Sequence, residues 1–261
     1  MELLLSAISL MGGVVAGAEE AVARTIDPRP LMVVLIGGFV SDPSPEQLNG
    51  TSGRGGNSGM YRLCGDLMHW DGIAAEYFNW NGTRAGDIRL RNPPMAAGIA
   101  EFLRERRPTH PEERLVIVGN SWGGHTAREV CELLAVEPAI PVELVVFLDP
   151  SSLGRTLNGK RSGGLPRNVT AAVNYFTQHK LSWRDWNDEP RVENIDLGDP
   201  QRGYLLDRGP HYNSAVDFKA HVFAEWDERI HIDIRLRIRK LRERAVLVEA
   251  APAGGIRVLS D

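Results

Sequence analysis

Residues 114–124, Arg114-Leu115-Val116-Ile117-Val118-Gly119-Asn120-Ser121-Trp122-Gly123-Gly124, decide how the rest of the chain is read. Residues 114–119 read as an apolar strand. The residues after it, HTAREVCELLAV at 125–136, have helical spacing. Between the two lies Gly119-Asn120-Ser121-Trp122-Gly123, a G-x-S-x-G pentapeptide. Such a pentapeptide is a weak signal by itself in a chain with 27 glycines among 261 residues. At a strand-to-helix junction it acquires a mechanical meaning. A serine on so sharp a turn is held in a strained conformation, with its hydroxyl lifted above the sheet edge. Small residues two before and two after it let the strand and helix backbones pass close together. The helix N-terminus brings a positive dipole end and a backbone N–H, that of Trp122, toward a developing oxyanion.

Working outward, LMVVLI at 31–36 is another short apolar run, closed by Gly37-Gly38. A Gly/Ser/Pro-rich stretch from Ser41 to Gly59 reads as a long functional loop. A short helix over 58–69, a strand over 72–80 and a helix over 94–107 come next. Strands are expected at 142–148 and 169–176, with a further candidate at 192–197. From about Asp217 to Arg244 the four-residue repeat of Val222, Trp226, Ile230, Ile234 and Ile238 predicts one long helix. Its run of basic residues is a solvated helix end, preceded by acids as the helix dipole favours. Strands alternate with helices, which implies a mostly parallel sheet with helices on both faces.

Composition narrows the field. At 43% hydrophobic and 25% charged residues the chain is ordinary for a globular protein, which excludes disordered and fibrous classes. A formal net charge of −4 makes no electrostatic case for nucleic acid. No apolar run reaches the length of a spanning helix. Two cysteines, Cys64 and Cys131, exclude a paired-CxxC zinc site and a disulfide-rich scaffold, and leave room for one bridge. Residues 1–29 are set apart as an N-terminal apolar segment and 30–261 as a single domain. The segment 3–18 ends in Ala16-Gly17-Ala18, a cleavage-like triplet, but its start carries Glu2 and no basic residue. It reads either as a signal peptide, which would make the protein secreted or periplasmic, or as a packed N-terminal helix of a cytoplasmic one. N-x-T sequons stand at Asn49, Asn81 and Asn168.

With Asn120-Ser121-Trp122-Gly123-Gly124 as its most specific stretch, the chain resembles the α/β-hydrolase superfamily over roughly residues 31–245. The resemblance implies an α/β-hydrolase fold and a serine hydrolase of the esterase, lipase or thioesterase type, similar to bacterial members. It also implies a second oxyanion donor in the loop after an earlier strand. Here that loop is Gly37-Gly38-Phe39-Val40, with the Phe39 amide as donor beside that of Trp122. Superfamily order places an acid and then a histidine after the nucleophile. Asp149 ends the strand after the elbow strand, on the same sheet edge as Ser121. Pancreatic-lipase-like members take their acid from this strand, in a similar Leu-Asp-Pro sequence. Asp185 and Asp188, in the loop after the next strand, are the rivals, and a simple Asp-Pro turn is the plain reading.

Among the seven histidines, order counts against His69, His110 and His125. His179 reads as loop surface and His231 lies deep in the last helix. His221 and His211 remain, and AHVFAEWDERI around His221 resembles the histidine segment of bacterial relatives. The expected triad is therefore Ser121, Asp149 and His221, acting on a small-molecule carboxylic ester or thioester. No cofactor and no metal is implied. An acyltransferase using the same serine and a non-catalytic binding module on this fold are the alternatives. Trp183 to Trp186 and Asn79 to Gly82 are candidate pocket-lining segments.

Overall fold

In a computed structural model, the residues described are 21–27, 29–39, 58–79, 93–151, 164–177, 182, 189–199, 219–250 and 256–258. The N-terminal segment 3–18, most of the loop after Ser41, Trp183, Trp186, Asp185, Asp188, His179 and His211 lie outside them.

The chain divides into two units, Met1–Asp27 with Glu243–Asp261, and Pro28–Arg242. In the first, β1 (Ala21–Ile26) pairs antiparallel with β8 (Glu243–Ala250), and β8 with β9 (Ile256–Val258). The second unit carries the remaining elements, with strand and helix alternating through its N-terminal part. They are β2 (Leu31–Ile36), α1 (Gly59–Met68), β3 (Ile73–Phe78), α2 (Pro93–Arg106), β4 (Arg114–Asn120), α3 (Trp122–Leu134), β5 (Val142–Leu148), β6 (Val169–Phe176), β7 (Val192–Asp196), α4 (Lys219–Ala224) and α5 (Glu228–Arg242). Its six strands are all parallel and lie in the order β3-β2-β4-β5-β6-β7.

The alternation of side chains along each strand feeds two cores. Met32, Val34 and Ile36 of β2, Ile117 of β4 and Phe147 of β5 face one side, against Ile99 and Leu103 of α2 and Val130 and Leu134 of α3. Leu31, Val33, Leu35, Val118 and Leu148 face the other, against Leu63 and Leu67 of α1 and Ile230, Ile234 and Ile238 of α5. Every residue of β2 is buried, as a strand covered on both faces requires. Ile230, Ile234 and Ile238 of α5 are fully buried, and each contributes roughly 1.5–3 kcal/mol relative to an exposed side chain. Cys64 belongs to the second core and Cys131 to the first, so the sheet separates the two thiols and both are free. The single bridge that the sequence left room for does not form.

The long helix expected over 217–244 is two helices. It breaks after Ala224 because Asp227 supplies a helix start: its Oδ1 accepts from the Arg229 amide at 2.9 Å, and its carbonyl from the His231 amide at 3.1 Å. The second helix ends at Arg242, where β8 begins.

The chain runs from β2 to β3 at the sheet edge and returns to β4 on the far side of β2. The order reverses there, and in open α/β sheets such a switch point opens a crevice at the carboxyl ends of the strands.

Candidate active site

The serine stands at that switch point, at the carboxyl end of β4. Ser121 follows the last residue of β4 and precedes the first of α3, with φ 52° and ψ −119°, a backbone conformation that side chains other than glycine rarely adopt. Two close approaches explain the flanking glycines. A Cβ on Gly119 would sit 2.4 Å from the Gly123 carbonyl oxygen, and one on Gly123 would sit 2.3 Å from that of Ile36. The Ser121 amide donates to the Leu148 carbonyl at 2.9 Å, which ties the turn to β5.

Asp149 leaves β5 at the same edge, also with positive φ (44°), and its amide donates to the Tyr175 carbonyl of β6 at 2.7 Å. Its carboxylate is fully buried. Oδ1 accepts from the Thr177 amide at 2.8 Å and from the Ser182 hydroxyl, and the Thr177 hydroxyl reaches both oxygens, at 3.1 and 2.9 Å. Burial alone would raise the pKa of this carboxyl. The charge and hydrogen bond of His221, the Ser182 hydroxyl and the Thr177 amide outweigh burial, and the pKa is lowered.

His221 lies in α4, a six-residue helix anchored by buried Ala220 and Ala224. Its Nδ1 stands 2.6 Å from Asp149 Oδ2 and its Nε2 2.8 Å from Ser121 Oγ. Ser121, Asp149 and His221 thus form one hydrogen-bonded chain. The position of α4 is fixed from beneath by Glu225. Its Oε1 accepts from the Met60 amide at 3.3 Å and from the Ser58 hydroxyl at 3.2 Å, at the N-terminus of α1. Ser58 in turn caps that helix, its Oγ accepting from the Tyr61 amide at 3.1 Å.

Phe39 stands in the turn after Gly37-Gly38. A Cβ on Gly38 would lie 2.9 Å from Ser121 Cβ, so this loop runs directly alongside the serine. The Phe39 and Trp122 rings pack with centroids 5.3 Å apart. The loop after β2 and the start of α3 therefore meet next to Ser121.

The other described histidines stand apart from the serine. His125 pairs with Glu129 on α3, and His231 is fully buried, its Nε2 donating to the Glu225 carbonyl at 2.8 Å. Burial holds the His231 pKa below its ordinary value. Among the described residues no group of three or more His, Cys, Asp or Glu is arranged to hold a metal ion, and no helix is long and apolar enough to cross a membrane.

Sequence reasoning missed Thr177, Ser182 and Ser151. For Thr177 a signal existed: it is the first residue after β6, the strand beside the one that Asp149 ends. Ser151, two residues beyond Asp149, puts its Oγ 3.2 Å from Ser121 Oγ. Ser182 meets Ser151 in an isolated antiparallel bridge, and no strand run announces it.

No protein-family model matches the chain, and no curated protein does. Solved structures do. A serine hydrolase without lid from Xanthomonas campestris shares 16% identity over 87% of this chain and 95% of its own, with a TM-score of 0.42. An alpha-beta serine hydrolase homologue from Coxiella burnetii shares 12% over 88% and 99%, with a TM-score of 0.42. The RedJ thioesterase of prodiginine biosynthesis from Streptomyces coelicolor shares 15% over 65% and 77%, with a TM-score of 0.38. The assignment of fold rests on the molecule's own features, namely the parallel sheet, its strand order, the helices on both faces and the serine on the turn between β4 and α3. This is an α/β-hydrolase fold.

Proposed function

We propose that the protein is a serine hydrolase that cleaves a carboxylic ester or thioester through an acyl-enzyme on Ser121. The observation that carries this reading is the continuous relay from Ser121 Oγ to His221 Nε2 (2.8 Å) and from His221 Nδ1 to Asp149 Oδ2 (2.6 Å). Both distances lie within the range at which a base can take a proton and be oriented while it does so.

In this reading His221 removes the Ser121 proton as Oγ attacks the substrate carbonyl. Asp149 holds the imidazole with its proton on Nδ1 and stabilises the cation that forms. The amides of Phe39 and Trp122 receive the oxyanion. His221 then protonates the leaving alcohol or thiol, and water, activated by the same imidazole, releases the acid. The carboxylate supports the assignment in a second way. It stays ionised without solvent, as the partner of a transient imidazolium must.

The test is Ser121→Ala, assayed on short p-nitrophenyl esters together with labelling by a fluorophosphonate probe. Turnover should fall by a factor on the order of 10⁶, and labelling should vanish while cooperative unfolding is retained. Activity within tenfold of the parent would sink the assignment of Ser121, and unlabelled parent protein would favour a non-catalytic module.

A further inference from the structure

Ser121 Oγ has two side-chain partners among the described residues, His221 Nε2 at 2.8 Å and Ser151 Oγ at 3.2 Å. A hydroxyl carries one proton, so it can donate to only one of them. The imidazole decides which. An ionised carboxylate only accepts, so the 2.6 Å contact between Asp149 Oδ2 and His221 Nδ1 requires a proton on Nδ1. In the neutral ring Nε2 is then bare and accepts. Ser121 must therefore donate to His221, and what it offers Ser151 is a lone pair. The donor in the contact between the two serines is Ser151.

We propose that Ser151 is a further catalytic residue of this site, its hydroxyl donating a hydrogen bond to Ser121 Oγ and stabilising the charge that builds there as the serine loses its proton. The proposal rests on the reading of Ser121 as the nucleophile. During acylation the Ser121 O–H bond breaks and its proton goes to His221 Nε2. The Oγ–carbon bond forms, and the carbonyl electron pair moves onto the carbonyl oxygen. Its return breaks the carbon–alcohol or carbon–thiol bond, the leaving group taking the bonding pair and the proton from His221. During deacylation a water O–H bond breaks, its proton going to His221 Nε2 as the water oxygen bonds to that carbon, and the carbon–Oγ bond then breaks. Oγ departs with the bonding pair and recovers a proton from His221. Ser151 keeps its own proton throughout. Charge resides on Ser121 Oγ at some point of both half-reactions, so one fixed donor assists both.

The placement suits a preorganised donor. Ser151 is 2% exposed. Its amide donates to the Ser121 carbonyl at 3.0 Å, which locks the two residues together independently of the hydroxyl. The bridge to Ser182 holds it from the other side, and Pro150 restricts the backbone just before it. Truncating the side chain therefore removes the hydroxyl and leaves the backbone ties.

The experiment compares the parent, Ser121→Ala and Ser151→Ala in rapid-mixing fluorophosphonate labelling and in p-nitrophenyl ester turnover. A labelling rate constant belongs to folded molecules only, so partial misfolding lowers its amplitude and leaves its value unchanged. Ser151→Ala should label roughly tenfold more slowly, with kcat lower by a similar factor and KM unchanged, as expected for one donor aimed at developing charge. A labelling rate within threefold of the parent, a loss confined to KM, or faster labelling overturns the proposal. Faster labelling would mean that Ser151 had been drawing the proton away from His221. If the parent itself is not labelled, the reading of Ser121 falls and takes this proposal with it. A labelled parent with an unaffected Ser151→Ala removes this proposal alone.

Discussion

Asp149 stays ionised without solvent because Thr177 donates to it from both amide and hydroxyl, Ser182 from a second hydroxyl and His221 from its ring. Such donors are strong because their acceptor is charged, each contributing about 1.5–3 kcal/mol. Thr177→Val keeps the amide bond and loses the hydroxyl. It should lower kcat roughly tenfold, equivalent to about 1.4 kcal/mol, and leave KM unchanged. Thr177→Ser should restore activity, because it returns the hydroxyl without the methyl. Steady-state kinetics on the three proteins checks this, and a Thr177→Val enzyme as active as the parent would show that the amide and Ser182 suffice. At this scale the sequence was readable where a residue type has a single use. Ser121 was marked by its pentapeptide, and Asp149 by ending an apolar strand. The hydroxyls around Asp149 were not readable, because Ser and Thr serve equally well as turn and surface residues; the register of β6 beside β5 brings Thr177 to the carboxylate, and an isolated bridge to Ser151 brings Ser182.

Elements position the histidine. Helix α4 is too short to hold itself in place, and its C-terminal end is fixed where Glu225 meets the N-terminus of α1. Gly59 makes that meeting feasible: a Cβ there would lie 2.1 Å from the Glu225 carbonyl oxygen. Alanine is ordinarily preferred to glycine in a helix by about 1 kcal/mol, so Gly59→Ala sets propensity against collision with backbone. Collision should win. The variant should be less stable in urea by about 1–3 kcal/mol, as overpacked sites are, and should lose kcat as His221 moves off Ser121. A Gly59→Ala protein of undiminished stability and activity would show that α4 is held elsewhere. Strand β2 was legible as an unbroken apolar run and β4, β5 and β6 as largely apolar ones, since a parallel strand covered on both faces has little other choice of residue. The break between α4 and α5 was not. The four-residue repeat from Val222 to Ile238 continues through it, and a cap at Asp227 overrides that periodicity.

Across the whole molecule, the order of the chain and the order of the sheet together create the site. Residues far apart in sequence reach one edge because each parallel strand releases the chain at the same end. The alternating pattern alone predicted this architecture. Order along the chain narrowed the candidate acids and histidines to a few, and Asp149 and His221 meet beside Ser121 in the structure. The two cores on either side of the sheet also explain why the cysteines have no partner. Cys64 has its pKa pushed up to about 12 by burial and by Glu76, and Cys131 is raised by burial, so neither thiol is reactive while the domain is folded.

The left-handed turn at Ser121 sets durability against activity. A side chain held at positive φ costs roughly 1–2 kcal/mol that glycine does not incur. Ser121→Ala and Ser121→Gly both lack the hydroxyl, but only the second relieves the backbone. Ser121→Gly should therefore be the more stable of the two by about 1 kcal/mol in denaturant unfolding, with both inactive. Equal stabilities would mean that the fold bears no strain at this turn. If the difference is found, any search for hardier versions of this protein that selects on thermal endurance alone would discard the serine early, and would have to screen for turnover at every round to keep it.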